Sequence, residues 1–195
     1  MKELIFASHN KGKIAEIKQI LGPLGINVKS SEDFDLPDVE ETGTTFEENA
    51  ALKAVTIAKL TGTQCLADDS GLCVNALHGR PGVYSARYAP NRDFDKAMDK
   101  LLQEILDSQS QDRRAYFACV LVLANPDGTY KSFEGRVEGE ITLEKQGAQG
   151  FGFDPVFMPI GYNKTFAELG SEIKNKISHR GRALEKLISY LSSRK

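Results

Sequence analysis

Nine consecutive residues, Tyr116 through Ala124, are almost without interruption apolar and rich in β-formers. A strand of that composition has no polar face to offer water, so it belongs at the centre of a sheet that is covered on both sides. Pro126-Asp127-Gly128 follows as a hairpin turn, and Tyr130 to Glu138 is read as the returning antiparallel strand. Leu4-Ile5-Phe6-Ala7, Ile26-Asn27-Val28 and Cys65-Leu66-Ala67 are shorter strand-like runs, and Ile141-Thr142-Leu143 is a weaker one.

Helical spacing separates these runs. Ile14, Ile17, Ile20, Leu21 and Leu24 recur at helical intervals, and Gly22-Pro23 with Gly25 should end that helix near Leu21. Thr45-Phe46-Glu47-Glu48 fits a capping box, opening a helix that runs to about Leu60 before Thr61-Gly62 closes it. Asp93 to Leu106 is amphipathic, with Ala97, Leu101, Leu102 and Ile105 toward the core. A last helix is expected from about Gly181 to Leu191. Interleaved helices and strands with one hairpin among them predict an α/β fold, a mixed central β-sheet with flanking helices. No break in composition divides the 195 residues, so residues 1–195 are read as one domain.

A net charge of −2 argues against a nonspecific nucleic-acid or anionic-membrane binder, which would carry a basic excess. No run approaches the length of a membrane span, and the N-terminal apolar run is too short for a signal sequence. Cys65, Cys73 and Cys119 form no Cys-x-x-Cys pair and are read as core residues. The expectation is a cytoplasmic protein.

Ala67-Asp68-Asp69-Ser70-Gly71-Leu72 carries the strongest chemical signal. Two carboxylates after an apolar run are expected at the end of a buried strand, where a divalent cation would relieve their repulsion and organise phosphates. The alternative is an Asx-turn. Ser8-His9-Asn10-Lys11-Gly12-Lys13 leads from a strand into a helix and offers backbone donors and two lysines to an anion, although the Walker pattern is absent. A surface turn with solvated lysines is the plainer reading. Glu47 and Glu48 have helix-start roles, which leaves Glu40 and Glu41 as candidate metal ligands or as a solvated acidic turn. Lys53 could reach a phosphate, or sit as an exposed i,i+4 neighbour of Asn49. In Gly147 to Pro155, Phe151 or Phe153 could stack on a planar base while Asp154 accepts from it or orients a donor; core anchoring is the alternative. Lys174, His179 and Arg180 could recognise a carbonyl edge, or serve as capping and surface residues.

The order of these segments is more specific than any one of them. Together with Pro81-Gly82-Val83-Tyr84-Ser85-Ala86-Arg87-Tyr88 and Ile177-Ser178-His179-Arg180-Gly181, they resemble the inosine triphosphate pyrophosphatase family, the Ham1 or RdgB-like dITP/XTP pyrophosphatases, over almost the full length. One departure is Ser8-His9, where many members carry Thr-Gly; the hydroxyl is kept and a flexible glycine is lost. The resemblance implies two α/β lobes around a deep cleft, usually in a homodimer. It also implies Mg2+-dependent hydrolysis of deaminated purine nucleoside triphosphates (dITP, ITP, XTP) to monophosphate and pyrophosphate. By matching motif, Ser8, His9, Asn10, Lys11, Gly12, Lys13 and Lys53 would hold the triphosphate, with Ser70 also on the substrate. Glu41, with Glu40 beside it, and Asp69 would serve the metal, and Asp69 takes the general-base position. Phe151, Gly152, Phe153, Asp154, Lys174, His179 and Arg180 would form the base pocket.

Overall fold

The computed structural model describes residues 2–30 and 32–193. Six strands, β1 (Lys2–Phe6), β2 (Ile26–Lys29), β3 (Cys65–Val74), β4 (Arg114–Ala124), β5 (Tyr130–Ile141) and β6 (Phe157–Pro159), form one sheet in the order β2-β1-β3-β4-β5-β6. The sheet is mixed: β1 pairs parallel with β2 and with β3, with Leu4 opposite Val28 and Ile5 opposite Cys65, whereas β5 and β6 pair antiparallel. The apolar run at Tyr116–Ala124 lies in β4, an interior strand as its composition requires.

The helices are α1 (Lys11–Leu21), α2 (Phe46–Thr61), α3 (Phe94–Asp107), α4 (Phe166–Leu169), α5 (Ser171–Ile177) and α6 (His179–Ser192). Local chemistry sets their ends. Asn10 caps α1 by accepting from the Lys13 backbone N–H, and the Thr45–Glu48 capping box opens α2. Gly62 closes α2 at φ 65°, a left-handed turn that costs glycine little.

The chain divides into two compact units, each assembled from separate stretches. The first comprises Met1–Asp69, Cys119–Gly135 and Arg180–Lys195; the second comprises Ser70–Ala118 and Arg136–His179. Two apolar clusters serve the first unit. One joins Leu4, Phe6 and Leu66 to Ile17 and Leu21 of α1 and Leu184 and Leu187 of α6, and the other joins Ile5, Cys65 and Ala67 to Ala50, Ala54 and Ile57 of α2. The second unit has its own core, built on Leu101 and Ile105 of α3 with Phe117, Phe153, Phe157 and Phe166. All three cysteines are buried and free.

Two expectations need correction. Asp68 and Asp69 do not end a strand: β3 continues through Ser70 and Gly71 to Val74, so the Asx-turn is also excluded. Gly71 reads locally as a turn residue, but it lies in the strand because another backbone segment comes against it. A Cβ there would stand 2.2 Å from Gly82 O and 2.7 Å from Ser85 Oγ. Likewise Ile141 is the last residue of β5 rather than part of a separate strand. The short elements β6, α4 and α5 carry too little periodicity to be read from sequence.

Candidate active site

Strand alternation determines what the two aspartates do. Successive side chains in β3 leave on opposite faces, so Asp68 follows Leu66 toward α1 and α6, and Asp69 follows Cys65 and Ala67 toward α2. Adjacent carboxylates are thereby separated into two environments.

On the first face, Asp68 is 1% exposed and enclosed by cations. Its Oδ2 accepts from Arg180 Nε at 3.3 Å and Nη2 at 2.9 Å, while Oδ1 lies 3.2 Å from Lys13 Nζ. Arg180 Nη1 also bonds Glu16 of α1. Burial by itself pushes Asp68 up, but Lys13, Arg180 and Lys53 outweigh it and hold the carboxyl well below the usual range. It is a permanent anion that orders Lys13 and Arg180.

Asp69 has the opposite balance. Burial pushes its carboxyl up, Lys53 and Lys13 lower it, Glu41 raises it and the Asn49 hydrogen bond lowers it; the result is about 6. A carboxyl tuned near neutrality can exchange a proton at working pH. Asn49 Nδ2 donates to Asp69 Oδ2 at 3.0 Å, and Asn49 Oδ1 accepts from the Gly43 N–H at 2.7 Å. Lys53 Nζ binds Glu41 Oε1. Burial opposes the charge on Lys53, but Asp68, Glu41 and Asp69 together raise its pKa. Lys53 is therefore a member of the carboxylate cluster and not an exposed neighbour of Asn49. Glu40 is exposed, whereas Glu41 is half-buried on Lys53.

The loop before α1 is ordered by its own polar groups. Ser8 Oγ accepts from Asn10 N–H at 3.1 Å, and Asn10 Oδ1 accepts from Lys13 N–H at 3.1 Å. His9 is exposed and its Nε2 bonds Leu36 O at 3.0 Å, so this side chain ties the loop to a neighbouring one. Lys11 is exposed and Gly12 half-buried, while Lys13 turns to Asp68.

In the second unit the structure separates the two phenylalanines. Phe153 is 2% exposed and makes edge contacts with Phe94 and Tyr88, so its ring serves the core. Phe151 is half-buried, with Lys174 Nζ 4.3 Å from its ring centroid. Asp154 Oδ2 accepts from Lys174 Nζ at 2.7 Å and from Phe151 N–H at 3.0 Å, so Asp154 orients a donor. Gly150 allows this approach, because a Cβ there would lie 2.2 Å from Asp154 Oδ2. Gly152 at φ 63° turns the loop between the two rings. His179 stacks on Phe117 with ring centroids 4.7 Å apart and an interplanar angle of 11°. Ser70, the residue after Asp69 in β3, is half-buried.

Sequence reasoning missed two members of this site. Asn49 and Glu16 lie inside helices, where only their burial distinguishes them from ordinary polar positions. The signal for Asn49 was an asparagine of poor helix propensity on the otherwise apolar face of α2.

A mixed sheet whose third strand turns one carboxylate onto lysine and arginine, and the next onto an amide beside a lysine–glutamate pair, places the protein among α/β folds whose sites suit anion binding and proton exchange. The Ham1 family model matches residues 4–190, and the chain belongs to the Ham1 family. It is 52% identical over 193 residues to a dITP/XTP pyrophosphatase of Bacillus licheniformis, covering 98% of each chain. It is 48% identical over 195 residues to the Bacillus subtilis protein of the same name, covering 99% of this chain and 98% of that one. Among solved structures, a HAM1 protein from Coxiella burnetii matches with a TM-score of 0.91 at 43% identity, covering 99% of this chain and 100% of that chain.

Proposed function

We propose that this protein hydrolyses deaminated purine nucleoside triphosphates, dITP, ITP and XTP, to the nucleoside monophosphate and pyrophosphate. The observation that carries the reading is Asp69: a buried carboxyl raised to about 6, in a unit that also holds Lys13 and Lys53. Family membership supplies the substrate class, and the relatives named above carry it in their names.

Asp69 orients and deprotonates the water that attacks the α-phosphorus. Lys13 and Lys53, with Ser8, Asn10 and the N-terminus of α1, take the charge that develops on departing pyrophosphate. The donor set suits a magnesium ion. Glu41 and Asp69 are hard oxygen donors, and Glu41 already binds a cation in Lys53. Among the described residues no three His, Cys, Asp or Glu side chains converge into a cage, and magnesium held by one or two carboxylates plus substrate phosphates needs none. When bound it would neutralise phosphate charge, with Glu41 and Asp69 as its ligands and Glu40 beside them. Phe151, ordered with Lys174 and Asp154, offers a ring face to the base. Lys174 and His179 present donors to its 6-keto edge; Arg180, bound to Asp68 and Glu16, follows His179 in the chain. ATP would place an amino donor against these donors and leave them unpaired.

The test is kcat/KM for ITP, XTP, GTP and ATP with product identification. Pyrophosphate release that favours ITP and XTP over ATP is expected. Equal values across the panel, or orthophosphate as product, would overturn the reading. No helix among the described residues is long and apolar enough to cross a membrane. We read the protein as a cytoplasmic homodimer, which light scattering of the purified protein checks for the oligomeric state.

A further inference from the structure

Asn49 has no helical reason to be where it is. Near a helix start an asparagine usually turns to solvent or bonds the local backbone, yet Asn49 is 0% exposed and its side chain reaches two partners outside α2. Its own backbone N–H bonds Thr45 O at 3.2 Å, as the helix requires. The partners have opposite polarity. The Gly43 N–H can only donate, and the Asp69 carboxylate accepts, so a side chain between them must present an acceptor one way and a donor the other. An amide of this length does so. Gly43 is fitted to it as well, because a Cβ at that position would stand 2.7 Å from Asn49 Oδ1 and 2.6 Å from Glu48 Cβ.

We infer that Asn49 is a positioning residue whose one buried amide holds the Asp69 carboxylate and the Glu41–Gly43 loop in register with each other. The inference rests on the roles given to Asp69 and Glu41 above. Gly43 lies two residues beyond Glu41, and the same amide sets the plane of the Asp69 carboxylate through Oδ2. Freeing either contact lets the two carboxylates drift apart while Lys13, held by Asp68, and the base-binding residues remain in place. The cost should therefore fall on the chemical step more than on substrate binding.

Asn49→Asp tests this with almost no change of shape. It keeps an acceptor for Gly43 and sets a second carboxylate oxygen against Asp69. Asn49→Ser removes both long-range bonds without adding charge. In the Asn49→Asp, Asp69→Asn double variant the hydrogen bond re-forms with donor and acceptor exchanged. Steady-state pyrophosphate release from ITP and thermal unfolding midpoints are measured for all of these and for Asp69→Asn. Both single Asn49 variants are expected to lose kcat by about 10- to 100-fold, with KM changed by less than about threefold. The midpoint of Asn49→Asp should fall and recover in the double variant, which stays inactive. Turnover of both Asn49 variants within about threefold of the unmodified protein, or a double variant no more stable than Asn49→Asp, overturns the inference. An Asp69→Asn variant with full turnover overturns the reading of the site instead, and the midpoints still decide the pairing.

Discussion

Asp68 and Asp69 are neighbours in sequence with opposite electrostatic fates, and their variants should separate accordingly. Asp68→Asn removes the anion between Lys13 and Arg180 and strands buried positive charge, so stability should fall by about 3 kcal/mol in urea unfolding. Asp69→Asn removes a carboxylate whose ionisation the fold opposes. At pH 8 without metal it should unfold no more easily than the unmodified protein, while kcat falls by about 10² to 10⁴ and nucleotide still binds. A comparable loss of stability in both variants would refute this division. The pH dependence has two signs. Asp69 titrates near 6 in the folded metal-free chain and near 3.9 unfolded. The folded state therefore holds the extra proton between these values, and this group's contribution to stability declines as pH rises through that window and then levels off. Asp68, held below its unfolded value, adds stability that is present above about pH 3.9 and is lost as pH falls through its folded pKa. Magnesium with nucleotide should consequently raise the thermal midpoint more at pH 8 than at pH 5, measured by differential scanning fluorimetry.

At the scale of elements, what could be read from sequence was what neighbouring residues decide. The Thr45–Glu48 capping box acts within four residues and α2 begins where that signal places it, and α3 (Phe94–Asp107) lies within a residue of the expected Asp93 to Leu106. The full length of β3 is hidden in the sequence because Ser70-Gly71 looks like a turn, and only the approach of Gly82 and Ser85 shows why a glycine sits in mid-strand. Ser85 Oγ accepts from Leu72 N–H at 2.9 Å and donates to Gly82 O at 2.6 Å, locking that segment to the strand. Gly71→Ala should cost about 1 to 3 kcal/mol, seen as a lower urea midpoint; an unchanged midpoint would show that the Gly82 segment yields freely. β6 is three residues long, and its pairing with Gly139, where a Cβ would meet Met158 O at 2.4 Å, identifies it in place of any pattern of its own.

Across the whole molecule, the order of motifs was enough to assign the family, because each motif is a run of adjacent residues that survives without knowledge of the fold. The sequence by itself determined the mixed α/β class, the capped start of α2, the central apolar strand and a set of candidate residues for the chemistry. Tertiary structure decided which of those residues meet. Phe153 went to the core and Phe151 to Lys174, and Lys53 joined Glu41. Arg180 found Asp68 across 112 residues of chain and Glu16 across 164. The physical reason is range. Caps, turns and periodicity are set by neighbours a few residues away, whereas a buried charge or amide takes whatever partner the packed chain brings within hydrogen-bonding distance.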